Sequence, residues 1–187
     1  MSSILHIAGI SGSLRKGSLN TALLHAVQSL LPSDVTFEII EIGQLPLYNS
    51  DLEKDVPLQV LEQFREQLAN ADAFVIASPE YNFSIPGVLK NALDWASRGK
   101  HSPLQNKPVA IMGASPGMLG TVRMQMQLRQ VFLFNNMQTV NKPEVIVNQA
   151  LSKFDSDGQL TDEKTVDLIR EQMHALIRLT KQLQLQD

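Results

Sequence analysis

A short polar segment near the start of the chain carries the residue types that bind phosphate. Residues 12–21 read Gly-Ser-Leu-Arg-Lys-Gly-Ser-Leu-Asn-Thr. Arg15 supplies a cation with a fork of donors, and further polar groups come from Ser13, Ser18, Asn20 and Thr21. This set of donors suits a phosphate dianion without a metal ion. The alternative interpretation is a solvated loop in which Ser18 only caps a helix.

The spacing of the two glycines in this segment raises a second possibility, a triphosphate site. Gly12 and Gly17 are spaced as in a P-loop, which also requires Lys and then Ser or Thr directly after the second glycine. Here Ser18 and Leu19 occupy those two positions, and Lys16 precedes the glycine. Because the groups that grip a triphosphate and Mg²⁺ are misplaced, the segment favours a monophosphate.

A second chemically mixed segment, Ser78–Ile85, follows an apolar run and is stiffened by prolines. Tyr81 or Phe83 offers a ring that packs against a planar heterocycle, and Asn82 offers an amide that reads its edge. Packing in a core or an interface is the alternative for the two aromatic rings. Glu80 has an alternative task as well, which is to fix the loop through main-chain N–H groups. A third segment, Ala114–Leu119, is Gly-containing, and its amides are suited to donate to ring carbonyls.

The elements around these segments alternate along the whole chain. Apolar, β-rich runs predict strands, and runs with helical periodicity lie between them. One predicted helix is opened by Pro57 and has Leu58 on its apolar face. The predicted strands are residues 4–10, 35–40, 71–77 and 108–112, and a fifth edge strand formed jointly by 138–140 and 144–147.

Five strands that alternate with helices predict a three-layer α/β/α fold, here one domain over residues 1–187. The length suits a flavodoxin-like parallel sheet of order 2-1-3-4-5, in which ligands bind beyond the carboxyl ends of the strands. The prediction brings together loop one (Ser11–Ser18), loop two (Ser78–Ile85) and loop three (Ala114–Leu119).

Composition narrows the class of function. A net charge of −3 argues against a nucleic-acid partner. The chain has no cysteine, so any redox chemistry must reside in a bound cofactor, and the absence fits a reducing compartment. The four histidines are scattered without metal-ligand spacing, which predicts no metal site. No apolar run approaches the ~20 residues that span a bilayer, so we expect a soluble, cytoplasmic protein without membrane insertion.

Loops one and two resemble those of the NAD(P)H-dependent FMN reductase family, which includes enzymes described as chromate, quinone and azo reductases. The first motif, Gly-Ser-x-Arg-x-x-Ser-x-Asn, occurs as Gly12–Asn20. The second, which begins Pro-Glu-Tyr-Asn and ends Asp-Trp, occurs as Pro79–Trp95, and the order of elements agrees along the whole chain. Two departures are Phe83, where Tyr is frequent, and Met126, where an aromatic side chain occurs in related chains.

The resemblance implies both the cofactor and the residues around it. The residues implied for the FMN phosphate are Ser13, Arg15, Ser18 and Asn20. Those implied to border the isoalloxazine ring are Pro79, Glu80, Tyr81 and Asn82, with Ser115 and Gly117 on its pyrimidine side. No catalytic side chain is implied, because the flavin carries the chemistry.

The resemblance also implies a reaction and an assembly. NADPH or NADH passes hydride to the flavin, and a small-molecule acceptor such as a quinone, azo compound, chromate or free flavin then takes the electrons in a ping-pong mechanism. Members are typically homodimers or homotetramers, with the cofactor near the subunit interface. Two alternatives are a flavodoxin-type FMN electron carrier without nicotinamide turnover and an interaction or regulatory module that uses the fold without flavin. Carriers of that type tend to be strongly acidic, whereas the charge of −3 is mild.

Overall fold

The computed structural model describes residues 4–55 and 59–185. The strands are β1 (Leu5–Ser11), β2 (Val35–Ile40), β3 (Ala73–Ala77), β4 (Pro108–Ala114), β5 (Gln138–Thr139) and β6 (Val145–Val147). The α-helices are α1 (Leu19–Leu30), α2 (Leu52–Asp55), α3 (Gln59–Asn70), α4 (Gly87–Ala96), α5 (Val122–Phe132) and α6 (Glu163–Gln184). Pro57, predicted to open a helix, and Leu58, predicted on its apolar face, lie outside the described residues.

The strands form one parallel sheet of order β2-β1-β3-β4-β5, which confirms the predicted flavodoxin-like order. In the register, Ile7 of β1 faces Ala73 of β3, and Phe74 of β3 faces Val109 of β4. Two short strands pair with successive parts of β4, β5 at its start and β6 at its end. They are the two segments predicted to form one edge strand, and the prediction is therefore confirmed.

Helices cover both faces of the sheet because alternate residues of the central strands point to opposite sides. Phe74 and Ile76 of β3 belong to the core that includes residues of α3, α4 and α5. Val75, between them, belongs to the opposite core, which includes residues of α1 and α6. All residues of β3 and β4 are buried, as expected for central strands of a parallel sheet.

The two helices of this second core begin at well-defined caps. Ser18 caps α1, where its hydroxyl accepts hydrogen bonds from two main-chain amides, and Asp162 caps α6, where its carboxylate accepts from the amide of Thr165. These caps fix where loop one ends and where the last helix starts. No helix within residues 4–55 and 59–185 has the combined length and apolar character that crossing a membrane requires.

Candidate functional site

The three predicted loops meet at the carboxyl edge of the sheet, around Ser78. The amide of Gly12 donates to Ala77 O at 2.8 Å, and the amide of Ser78 donates to Met112 O at 3.1 Å. A Cβ on Gly12 would lie 3.1 Å from Ser78 Cα, and one on Gly113 would lie 2.5 Å from Ser78 O. Loop one, the start of loop two and the end of β4 that leads into loop three are therefore in main-chain contact, as the strand order predicts.

Loop one folds around its own serines. Ser11 Oγ contacts Thr21 Oγ1 at 2.8 Å, and the amide of Arg15 donates to Ser13 Oγ at 3.3 Å. Ser18 Oγ accepts from the amides of Asn20 and Thr21. Gly17 adopts a φ of +67°, a backbone conformation that favours glycine. The hydroxyls of Ser13 and Ser18 are consequently held in place before any ligand arrives.

Loop one and the start of α1 also leave amides and cations available to an anion. The amides of Lys16, Gly17 and Leu19 have no hydrogen-bond partner within residues 4–55 and 59–185. Arg15 and Lys16 are exposed and make no salt bridge to any other described residue. Open amides at a helix start favour negative charge. This set of donors fits the phosphate of FMN.

Asn20, also predicted to bind the phosphate, has an engaged side chain. Its Oδ1 accepts from the amide of Ala114 at 2.8 Å, and its Nδ2 donates to Ala114 O at 3.1 Å. The side chain is buried, and it ties the first turn of α1 to the end of β4. A contact between Asn20 and phosphate stays a prediction, and the remaining N–H of its amide is the group left for it.

Loop two presents an exposed turn. Tyr81 and Ser84 exchange two main-chain hydrogen bonds of 3.1 and 2.9 Å across Asn82 and Phe83, both of which have positive φ. Tyr81 and Asn82 are exposed, and Pro79 is half-buried. The aromatic ring and the amide predicted to border a heterocycle are therefore accessible at this edge of the sheet.

Glu80 is directed at α5. Its carboxylate accepts the amide hydrogen of Met124 at 3.0 Å and lies 3.6 Å from Nη1 of Arg123. Only 9% of this side chain is exposed. Met124 lies in the first turn of α5, where main-chain amides lack helical partners, so the carboxylate stabilises the start of that helix. The bond is of the kind expected if Glu80 fixes the loop through a main-chain N–H, and its proximity to the flavin stays a prediction.

Loop three is tied to the segment that follows it. The amide of Ser115 donates to Val147 O at 3.0 Å, and its Oγ accepts the amide of Gly117 at 3.2 Å. Gly117 O accepts from the amide of Gln149 at 3.0 Å. Gly117 is exposed and Ser115 is half-buried. Both predicted residues stand at the site edge, although these two amides already have protein partners.

A pocket of about 440 Å³ opens beside loop one. Ser13, Arg15 and Ser18 line it, whereas the other predicted site residues, all within the described ranges, do not. His25 of α1 and Glu41, which follows β2, also line it, and sequence reasoning missed both. The available signal for Glu41 was its position at the end of a strand that neighbours β1. Three of the four residues predicted to bind phosphate therefore line the pocket, whereas those predicted to border the ring lie on loops two and three.

Comparisons with known proteins assign a family. The sequence model of the family described as NADPH-dependent FMN reductase matches residues 5–152. An NAD(P)H-dependent FMN reductase of Pseudomonas aeruginosa is 47% identical over 176 residues, which cover 94% of this chain and 95% of that protein. A 2-hydroxy-1,4-benzoquinone reductase of Burkholderia sp. is 46% identical over 162 residues, which cover 86% of this chain and 88% of that protein.

A solved structure agrees with these sequence matches. The flavoenzyme NAD(P)H:(acceptor) oxidoreductase of Paracoccus denitrificans superimposes with a TM-score of 0.87 at 33% identity, covering 96% of this chain and 98% of that one. The chain therefore belongs to the NADPH-dependent FMN reductase family.

Proposed function

We propose that this protein is an FMN-dependent oxidoreductase that takes hydride from NADPH or NADH and delivers electrons to a small-molecule acceptor. The observation that carries the proposal is the meeting of the three loops around Ser78, which sets the segment predicted to bind phosphate beside an exposed aromatic turn. Relatives named as FMN reductases and quinone reductases support the same activity. Quinones are the acceptor class that we favour.

Each part of the ligand has candidate partners in the chain. Ser13, Arg15 and Ser18, with the open amides at the start of α1, would hold the phosphate. Loops two and three would border the ring through the side chains or main chain of Pro79, Tyr81, Asn82, Ser115 and Gly117. Bound FMN supplies a ring that accepts hydride from a nicotinamide and passes electrons to an acceptor.

The residues of the chain bind and orient rather than react. Ser18 keeps two amides of α1 directed at its own hydroxyl, which sets the geometry of the turn that would bind phosphate. Glu80 holds loop two against α5. These contacts keep both ends of the site in place before the nicotinamide or the acceptor arrives, and such preorganisation lowers the cost of binding.

The test uses purified protein loaded with FMN. Addition of NADPH or NADH without an acceptor should bleach the flavin absorbance band, and a quinone should restore it. Initial rates measured against nicotinamide concentration, at several fixed quinone concentrations, should give parallel double-reciprocal lines, the pattern of ping-pong kinetics. A flavin band that persists with both nicotinamides would instead support an FMN electron carrier, and intersecting lines would exclude the ping-pong mechanism.

We also propose that the protein assembles as a homodimer or homotetramer. Large apolar side chains are exposed on loop two, loop three and the start and outer side of α5, namely Tyr81, Phe83, Met118, Leu119, Val122 and Met126. Such a concentration of apolar surface is typical of an interaction site. Light scattering should give two or four times the chain mass, and Met126→Glu should lower it.

Two sequence predictions accompany this proposal. We propose that residues 1–187 fold as one domain, and a single cooperative transition in denaturant, coincident by fluorescence and circular dichroism, is the expected result. We propose a cytoplasmic location, which fractionation of cells tests. Two separate transitions would contradict the first, and recovery in the membrane or secreted fraction would contradict the second.

A further inference from the structure

The turn in loop two has a backbone conformation that suits one of its two central residues and strains the other. Asn82 has a φ of +50° and Phe83 a φ of +65°. Two central residues with positive φ, closed by the paired hydrogen bonds of Tyr81 and Ser84, form a tight turn of the type I′ kind, for which Asn-Gly is the preferred sequence. Asn82 suits its position, whereas a bulky residue such as Phe83 is a genuine outlier there. A strained residue of this kind persists only when its surroundings hold it.

Gln127 of α5 supplies that support from one side-chain amide. Its Nε2 donates to Phe83 O at 2.8 Å, and its Oε1 accepts from Ser84 Oγ at 2.6 Å. The two bonds fall on successive residues of the turn and fix the orientation of the peptide that joins them. A glutamate cannot reproduce both contacts, because a carboxylate has no donor for Phe83 O.

Neighbouring residues of α5 hold the rest of loop two. Arg123, one helical turn before Gln127, lies with its guanidinium 4.1 Å from the centre of the Phe83 ring. The amide of Met124 donates to Glu80. One side of α5 therefore contacts loop two at Glu80, Phe83 and Ser84, which lie before, at and after the strained position.

We infer that Gln127 is a positioning residue, which keeps Phe83 in its strained conformation and so holds Tyr81 and Asn82 at the edge of the flavin ring, over which the acceptor would also bind. The inference rests on the proposed function for the role of loop two, although the contact itself does not. Gln127 is exposed and lies outside the residues that would hold FMN, so it acts through the turn rather than on the cofactor. Loss of its amide should let the turn open while the phosphate-binding end of the site stays formed.

The first experiment measures hydrogen exchange in the protein without FMN, on peptides that cover residues 79–86. Gln127→Ala should speed exchange in this segment by roughly fivefold or more, because the closing bonds of the turn open more often. Gln130→Ala, a change at an exposed α5 residue with no side-chain hydrogen bond to another described residue, is the matched control and should leave the rate unchanged. Equal rates for both variants would overturn the inference.

A second background separates positioning from a general effect on stability. Phe83→Gly converts the centre of the turn to Asn-Gly, which adopts positive φ without external support. In that background Gln127→Ala should change the exchange rate by less than about twofold, since the strained residue is gone. An undiminished effect would show that Gln127 stabilises the region in some other way, and would overturn the inference.

Kinetics of the FMN-loaded enzyme supply the functional readout. Gln127→Ala should raise the quinone KM by about three- to tenfold with kcat within twofold, because a binding surface rather than the reacting group is displaced. A loss of kcat at unchanged KM would contradict the positioning role. Absence of turnover in the wild-type protein would count against the proposed function alone, since the exchange measurements do not depend on it.

Discussion

The side-chain amide of Asn20 and the main chain of Ala114 exchange two hydrogen bonds, of 2.8 and 3.1 Å, between residues 94 positions apart. Both residues are buried. The pair joins the first turn of α1 to the last residue of β4, and so sets loop one relative to loop three. Asn20, which is predicted from the sequence to bind phosphate, thus also links α1 to β4.

Replacement of Asn20 by alanine should destabilise the protein. The change leaves the buried amide and carbonyl of Ala114 without partners, and each orphaned group costs on the order of 1–3 kcal/mol. We expect a loss of about 2–4 kcal/mol in the free energy of unfolding, measured by urea denaturation. Asn70→Ala, at an exposed position of α3, is the control and should change stability by less than about 0.5 kcal/mol. Equal losses for the two variants would contradict the assignment.

Gly12 is predicted to tolerate no side chain. A Cβ there would lie 2.7 Å from Ser78 Cβ and 3.1 Å from Ser78 Cα, so the two loops would have to separate. Gly12→Ala should therefore destabilise the protein by about 1–3 kcal/mol, the usual cost of overpacking. Thermal unfolding with and without FMN measures the loss and any additional weakening of cofactor binding.

The matched control for this prediction is Gly87→Ala. Gly87 is the first residue of α4, and a Cβ on it would meet nothing within 4 Å. Alanine at a compatible helical position stabilises by up to about 1 kcal/mol through the unfolded state. Opposite signs for the two glycines are the expected result, and a neutral Gly12→Ala would show that the loops can move apart freely.

The sheet was predictable because burial and periodicity are local signals. The run that becomes β3 is apolar throughout, which places it in the middle of a parallel sheet, and all of its residues are buried. The edge segments that become β5 and β6 were recognisable for the same reason. Strand boundaries shift by one or two residues: the strand predicted at residues 4–10 is Leu5–Ser11, and the one predicted at 108–112 extends to Ala114.

The site was predictable in its loops and less so in its contacts. The strand order alone brings loops one, two and three to one edge of the sheet. The hydrogen bonds from Asn20 to Ala114 and from Gln127 to Phe83 depend on how α1 and α5 pack in three dimensions. No local pattern in the sequence encodes the distance between residues 94 or 44 positions apart.

Asp162 should make the stability of the protein depend on pH in the acid range. A hydrogen bond from the Thr165 side chain is the main cause that lowers the pKa of this N-cap carboxyl. A carboxyl whose pKa is lower in the folded state stabilises above its unfolded pKa, about 3.9, and this contribution disappears as the pH falls through the folded pKa. The urea midpoint of unfolding should therefore be lower below pH ~4 than at pH 7, and comparing the two midpoints measures this loss of stability.

Two variants separate the effect of the Asp162 charge from the effect of its hydrogen bond as a helix cap. Asp162→Asn should retain most of the stability at pH 7, since Asn caps helices about as well as Asp, but lose this part of the pH dependence. Asp162→Ala should cost about 1 kcal/mol at pH 7 because Thr165 N loses its acceptor. An Asp162→Asn variant with the acid sensitivity of the wild type would assign that sensitivity to other carboxyls.

Arg15 is the residue whose removal should weaken FMN binding most directly. It is the exposed guanidinium of loop one, it lines the pocket, and it forms no salt bridge with a described carboxylate. Arg15→Ala should cost roughly 1.5–3 kcal/mol of binding free energy, the range for hydrogen bonds to charged groups. Fluorescence titration of FMN into the protein without cofactor measures the dissociation constant.

Three comparisons make the Arg15 result specific to phosphate recognition. Arg15→Lys keeps the charge but loses the fork of donors, so its affinity should fall between those of the wild type and Arg15→Ala. Arg178→Ala, which removes an exposed cation on α6, should leave the dissociation constant unchanged. Riboflavin lacks the phosphate, so its affinity should be the same in all variants. A riboflavin affinity that falls in parallel with that of FMN would mean that Arg15 supports the ring rather than the phosphate.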